Sequence, residues 1–231
     1  MYFHIFQRFN SSKMIEAHQM QVPRTAHFYT IGKPGKHVKR FWIVCHGYGQ
    51  LAKFFIRKFD VLSDEKTFVL APEGFSRFYT EGLSGKVGAS WMTKEDRLVE
   101  IDDYANYLST LYDKFTPQLA DDVQIILLGF SQGCATQMRW MMKRFPRYDA
   151  LMLWAGLVPE DLDYKPHRDY FSRRALHFVY GTNDQFITDE RLREHEQLLR
   201  EQQLDFQAHT FDGEHTIDRR ALQKLATEIY R

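Results

Sequence analysis

The chain has 231 residues, with 31 Lys+Arg against 30 Asp+Glu, a formal charge of +1 and 15% aromatic residues. A near-neutral chain lacks the global positive field that drives sequence-independent binding to phosphate backbones, so nucleic acid is not an expected partner. The longest nearly apolar run, Ala150 to Val158, has nine residues, where a membrane-spanning helix needs about 20, so no membrane span is expected.

One domain of this size buries roughly 70 to 75% of its unfolded surface, enough for a large core without disulfides or structural metal. Cys45 and Cys134 each sit inside an apolar stretch and match neither a CxxC nor a metal-ligand spacing. Both are expected to be reduced and buried, and no metal or cofactor is expected. Residues 1–17 show no period, and a second start could lie at Met14. They read as an N-terminal extension of doubtful order, with 18–231 as the domain. The segment Met1 to Phe9 is broken by polar residues and lacks a small-residue cleavage site, so the expected location is cytoplasmic.

In chain order, β-rich runs at Ala26–Ile31, Phe41–Cys45 and Thr67–Ala71 alternate with a helical stretch around Leu51 to Leu62. Pro72 to Arg97 is rich in glycine and has no sustained period, which predicts a long loop and a candidate binding surface. Leu98, Ile101, Tyr104, Ala105, Leu108, Leu111, Tyr112 and Phe115 recur at spacings of three and four, which predicts a helix with one apolar face. Val123–Leu128 is a continuous apolar run suited to a strand buried on both sides. A helix from Gln132 to Phe145 follows, then strands Ala150–Trp154 and Ala175–Tyr180, helix Asp189–Gln202, strand Phe206–Phe211 and helix Asp218–Tyr230. This alternation predicts an α/β domain with a mostly parallel sheet covered by helices.

Gly129-Phe130-Ser131-Gln132-Gly133 fits G-x-S-x-G. Three fixed positions at about 7% each would recur by chance in nearly one protein in ten of this length, so context decides. Here the motif joins the end of a buried strand to the start of an amphipathic helix, the setting of a nucleophile elbow. So tight a turn needs glycine two residues either side of the nucleophile. A serine hydroxyl is a weak nucleophile at neutral pH and needs a base, itself oriented by an acid. After strand Ala175–Tyr180 comes Gly181-Thr-Asn-Asp184, and after strand Phe206–Phe211 comes Asp212-Gly-Glu-His215. Loops leaving the C-terminal ends of parallel strands share one edge of the sheet. Among ten histidines, His215 both follows the serine and lies directly after the C-terminal end of such a strand. Asp189 is the rival acid, better read as a first-turn residue favoured by the helix dipole. Ser131, Asp184 and His215 are therefore the candidate catalytic residues.

A tetrahedral intermediate carries a negative oxygen that backbone N–H groups must hold, at about 3 to 4 kcal/mol per donor. Gln132 N–H, at a helix N-terminus, is one candidate. Tyr48 N–H, in Cys45-His46-Gly47-Tyr48-Gly49-Gln50, is the other. His46 reads as structural because it precedes the nucleophile. Phe75, Phe78, Tyr79, Trp91 and Met92 either wall an acyl pocket or form a cluster under the loop; Phe75, Trp91 and Met92 are the candidate substrate contacts. Glu73, Arg77, Asp96 and Arg97 are candidates for an ion-pair network that holds the loop.

From Ala26 to Tyr230 these motifs resemble the α/β-hydrolase superfamily, and within it the phospholipase/carboxylesterase group that includes acyl-protein thioesterases. The resemblance rests on His46-Gly47-Tyr48-Gly49, the Ser131 elbow, the Asp184 loop and His215, and Gly88-Ala89-Ser90-Trp91 looks like the family segment whose tryptophan lines the acyl site. It implies the same triad and oxyanion donors. Pro72 to Tyr79 and Trp91 to Arg97 depart from the thioesterase pattern, which suggests a distinct branch. Pro159 to Phe171 leaves no room for a large lid. The expected function is hydrolysis of a small-molecule acyl ester or thioester, lysophospholipids included, by a serine carboxylesterase. The alternative from another class is a non-catalytic ligand-binding module on the same fold. A dienelactone-hydrolase-like reading wants cysteine at the elbow centre, and Cys134 lies three residues late. Oligomeric state has no signature in the sequence.

Overall fold

Strand residues that alternate in the sequence point to opposite faces of a sheet, and here both faces are apolar. Phe41, Ile43 and Cys45 share one core layer with Phe68, Leu70, Ile125, Leu127, Leu151 and Leu153. Trp42 and Val44 join Val69, Ala71, Ile126, Leu128, Met152 and Trp154 in the other. A sheet apolar on both sides must be covered by helices on both sides. The computed structural model describes residues 16–230 and has this arrangement; residues 1–15, most of the expected N-terminal extension, lie outside the described residues.

The strands are β1 (Phe28–Ile31), β2 (Arg40–Cys45), β3 (Thr67–Pro72), β4 (Ser76–Glu81), β5 (Ser84–Ser90), β6 (Gln124–Phe130), β7 (Ala150–Trp154), β8 (Ala175–Gly181) and β9 (Gln207–Phe211). The helices are α1 (Ala52–Phe55), α2 (Arg97–Phe115), α3 (Gln132–Arg144), α4 (Arg168–Ser172), α5 (Asp189–Gln202) and α6 (Arg219–Ile229). Seven strands form one sheet in the order β1-β3-β2-β6-β7-β8-β9, parallel throughout except for β1 against β3. The chain winds outward from β2 to β3 and then returns to β6 on the other side. The β2–β6 junction is therefore a topological switch point, where crevices open beyond the strand C-termini.

Helices α2 and α3 supply Ile101, Tyr104, Leu108, Met138 and Trp140 to the first layer. Helix α6, with Phe55, Ile56 and Phe59 from α1 and the 3-10 turn after it, covers the second through Leu222 and Leu225. Asp218 caps α6 by accepting the Ala221 N–H at 2.8 Å, and Thr188 caps α5 through Arg191 N–H at 3.3 Å, satisfying donors that helix starts leave free.

Two expectations are corrected. Residues 72–97 are not a continuous loop: β4 and β5 pair antiparallel in register Ser76↔Ser90 to Glu81↔Ser84. Gly82, at φ 61, occupies the first central position of the two-residue turn, where a type II′ hairpin requires positive φ. The hairpin stands mostly in solvent, so it lacks the apolar alternation that marks a half-buried strand. Glu73 does pair with Arg77, but Arg97 pairs with Asp161 rather than with Asp96, which instead takes the N-cap of α2 at φ 47. Cys45 and Cys134 are free and buried, and burial raises both thiol pKa values. No described helix is long and apolar enough to cross a membrane.

Candidate active site

Strand β6 ends at Phe130 and α3 begins at Gln132, so Ser131 carries the whole reversal, at φ 54 and ψ −117. That conformation costs a non-glycine residue about 1 to 3 kcal/mol and persists only where its surroundings enforce it. Ser131 N–H donates to Trp154 O at 2.9 Å. A Cβ on Gly129 would lie 2.4 Å from Gly133 O, and one on Gly133 would lie 2.1 Å from Cys45 O. Both glycines of the motif are thus required by backbone contacts.

Asp184 follows β8 and His215 follows β9. His215 Nδ1 lies 2.7 Å from Asp184 Oδ2, and the carboxylate is fully buried. Phe186 N–H donates to the other oxygen, Oδ1, at 2.9 Å. The imidazole packs tilted on Phe130 at 4.9 Å and edge-on to Phe186 at 4.7 Å, which fixes its plane. Trp154 Nε1 donates to Thr216 O at 2.9 Å and ties the histidine loop to β7. Asp189 is the first residue of α5, and Asp184 is the carboxylate that meets the histidine. Ser131, Gln132 and His215 line one hollow of about 550 Å³.

Tyr48 follows β2 across the switch point from Ser131. In its loop Gly47 N–H donates to Gln50 Oε1 at 2.9 Å, Gly49 N–H to Ala89 O at 2.9 Å and Gln50 N–H to Gly47 O at 3.3 Å. Among the described residues, the N–H groups of Tyr48 and Gln132 have no acceptor. His46, fully buried, stitches this loop to the next: Gly74 N–H donates to its Nε2 at 3.0 Å and its Nδ1 lies 2.7 Å from Gly47 O. Burial lowers its pKa to about 4, so it is a neutral structural residue.

The three candidate substrate residues separate. Met92 lines the hollow that holds Ser131. Trp91 is 2% exposed, stacks on His46 at 5.0 Å and donates its indole N–H to His46 O at 2.9 Å; it is part of the core, because an indole with a buried acceptor packs as an apolar residue. Phe75 lies against Tyr107 at 5.1 Å and under Arg24, and lines a different hollow beside Glu73. Neither of these two lines the Ser131 hollow. Tyr48 and Phe78 stack at 5.0 Å on the exposed side of the hairpin. A second hollow of about 600 Å³, lined by Phe54, Phe55, Val87, Phe130 and Ile217, shares no wall residue with the first.

Several contacts of the site have no signal in the sequence. The Gln132 side chain donates to Met92 O at 2.9 Å and accepts Trp91 N–H at 3.1 Å. Gly156 lets the loop after β7 close on the elbow, since a Cβ there would lie 2.5 Å from Ser131 O. His195 of α5 accepts Val158 N–H at 3.2 Å; burial lowers its pKa to about 4. Arg139, Asp161, Arg97 and Arg191 also wall the Ser131 hollow. Burial raises the Asp161 pKa, but the Arg139 hydrogen bond and the charges of Arg139 and Arg97 outweigh it and hold the carboxyl below its usual value.

The sequence profile of the phospholipase/carboxylesterase family matches residues 27–231. The chain belongs to that family. It is an α/β-hydrolase, and its fold is shared with Zea mays acyl-protein thioesterase 2 (TM-score 0.68, 14% identity, 89% of this chain and 98% of that one). It is likewise similar to a phospholipase/carboxylesterase from Dyadobacter fermentans (TM-score 0.64, 18% identity, 91% and 99%). A Bacillus cereus carboxylesterase gives a TM-score of 0.62 at 15% identity, over 89% and 93% of the two chains. No curated protein sequence matches.

Proposed function

We propose that this family member is a serine hydrolase that cleaves carboxylic esters through an acyl-enzyme on Ser131. The observation that carries the reading is the buried Asp184 carboxylate 2.7 Å from His215 Nδ1, in the hollow-lining histidine that shares its cavity with the strained Ser131. Asp184 keeps the proton on Nδ1, which leaves Nε2 free to take the serine proton. Ser131 Oγ then attacks the carbonyl carbon, and the oxygen that gains charge is held by Tyr48 and Gln132 N–H. His215 returns the proton to the departing alcohol. Water, deprotonated by the same nitrogen, attacks the acyl-enzyme and frees the acid and Ser131. Thioesters and lysophospholipids fall within the same chemistry, because each offers an acyl carbon to the same nucleophile.

Steady-state hydrolysis of p-nitrophenyl esters tests the reading. Ser131→Ala and His215→Ala are expected to lower kcat by 10³-fold or more, on the order of losing a triad member, with folding intact by circular dichroism. Turnover that survives either substitution within about tenfold contradicts it.

A further inference from the structure

Five charged side chains other than the triad line the Ser131 hollow: Arg97, Arg139 and Arg191 against Glu160 and Asp161. Asp161 is shared, with one oxygen on Arg139 Nη2 at 2.7 Å and the other on Arg97 Nη2. One carboxylate cannot neutralise two guanidiniums. Arg191 spends one N–H on Phe186 O at 2.8 Å, so the wall carries one positive charge more than it carries negative.

The donors are also under-used. Arg139 has only 8% of its side chain exposed. Its Nη1 lies 3.7 Å from Met92 Sδ, the Tyr104 hydroxyl lies beside the same guanidinium, and its Nε, like that of Arg97, is buried with no hydrogen-bond partner among the described residues. The two Nε groups lie out of reach of a ligand, but Arg97, with 37% of its side chain exposed, presents its guanidinium to the hollow, and a cationic wall beside a nucleophile fits an anion that arrives with the substrate. A planar guanidinium fork suits a carboxylate.

Position sets the span. Gln132, Ala135 and Arg139 line the hollow from one face of α3. Arg139 lies seven residues beyond Gln132, about 10 Å along the axis, and helical side chains lean back toward the N-terminus, here toward the elbow. An anion on Arg139 therefore sits a short methylene chain from the carbonyl that Ser131 attacks.

Resting on the esterase reading above, we propose that the hollow selects esters that carry a carboxylate, recognised by the Arg97–Asp161–Arg139 cluster. The test measures kcat/KM for monoethyl esters of succinate, glutarate and adipate against ethyl esters of straight-chain monocarboxylates of equal carbon number. A second arm places the carboxylate on the alcohol side, with butanoyl esters of short ω-hydroxy acids against butanoyl esters of the matching neutral alcohols. At low salt at least one arm is expected to favour the carboxylate by about tenfold or more, as one charge-assisted contact gives. That ratio should fall at least fivefold in Arg97→Gln and shrink with added salt. Because it is a ratio within one protein sample, partial unfolding of the variant does not mimic the effect. A ratio of one or below in both arms, or one that Arg97→Gln leaves unchanged, overturns the proposal while the esterase reading stands. Failure to turn over any of these esters or p-nitrophenyl esters contradicts both.

Discussion

The side-chain amide of Gln132 donates to Met92 O at 2.9 Å while its oxygen accepts Trp91 N–H at 3.1 Å. One side chain thus pins the segment after β5 to the residue that follows the nucleophile. The backbone N–H of Gln132 has no acceptor among the described residues, while its side chain holds the backbone of Met92, which lines the wall of the hollow.

Gln132→Ala keeps the backbone N–H and removes both ties. It is expected to lower kcat/KM for p-nitrophenyl esters by about tenfold and stability by about 1 to 3 kcal/mol, as loss of buried hydrogen bonds does. Urea unfolding and steady-state kinetics on the same sample check both numbers. Unchanged kinetics would show that the tie does not position the site.

Trp91, Phe75 and Met92 should separate in a truncation series. Trp91→Ala is expected to cost about 3 to 5 kcal/mol, as a large core deletion does. Phe75→Ala should leave KM for small esters within about twofold, because that ring sits on Tyr107 away from the Ser131 hollow. Met92→Ala should change KM, since Met92 lines the hollow. A KM change for Phe75→Ala as large as that for Met92→Ala would contradict the placement.

Much of this was legible in the sequence because the signals were local or periodic. The Ser131 elbow, the Asp184 loop and the His215 loop each follow an apolar strand, and a parallel sheet brings strand ends to one edge without further information. The β4–β5 hairpin was not legible, because Val87 and Tyr79 are exposed and its pairing leaves no apolar face to give a period of two. Trp91 was read as a loop aromatic for the same reason. The Arg139–Asp161–Arg97 cluster was also hidden. Its members come from α3, α2 and the segment after β7, and neither charge nor spacing connects residues that only tertiary packing brings together. Glu73 and Arg77 were legible, being four residues apart.

Three buried histidines give the fold a definite pH dependence. His46, His177 and His195 have pKa values lowered to about 4, each first by burial, with the neighbouring His209 adding to the effect at His177. In the unfolded chain each returns to about 6.5, so between these values the unfolded state binds more protons and stability rises with pH. Stability to urea should therefore be fullest above about pH 6.5 and fall progressively toward pH 4, by up to about 1.4 kcal/mol per pH unit for each histidine. His46→Asn should reduce that slope. A flat profile between pH 4 and 6.5 would contradict the neutral assignment.

Covalent labelling tests Ser131 as the nucleophile most directly. Treated with a fluorophosphonate and digested, the protein is expected to carry one phosphonyl adduct on the peptide containing Ser131, absent from Ser131→Ala and slowed at least a hundredfold in His215→Ala. No adduct on the wild-type protein, or an equal adduct on Ser131→Ala, would contradict the account.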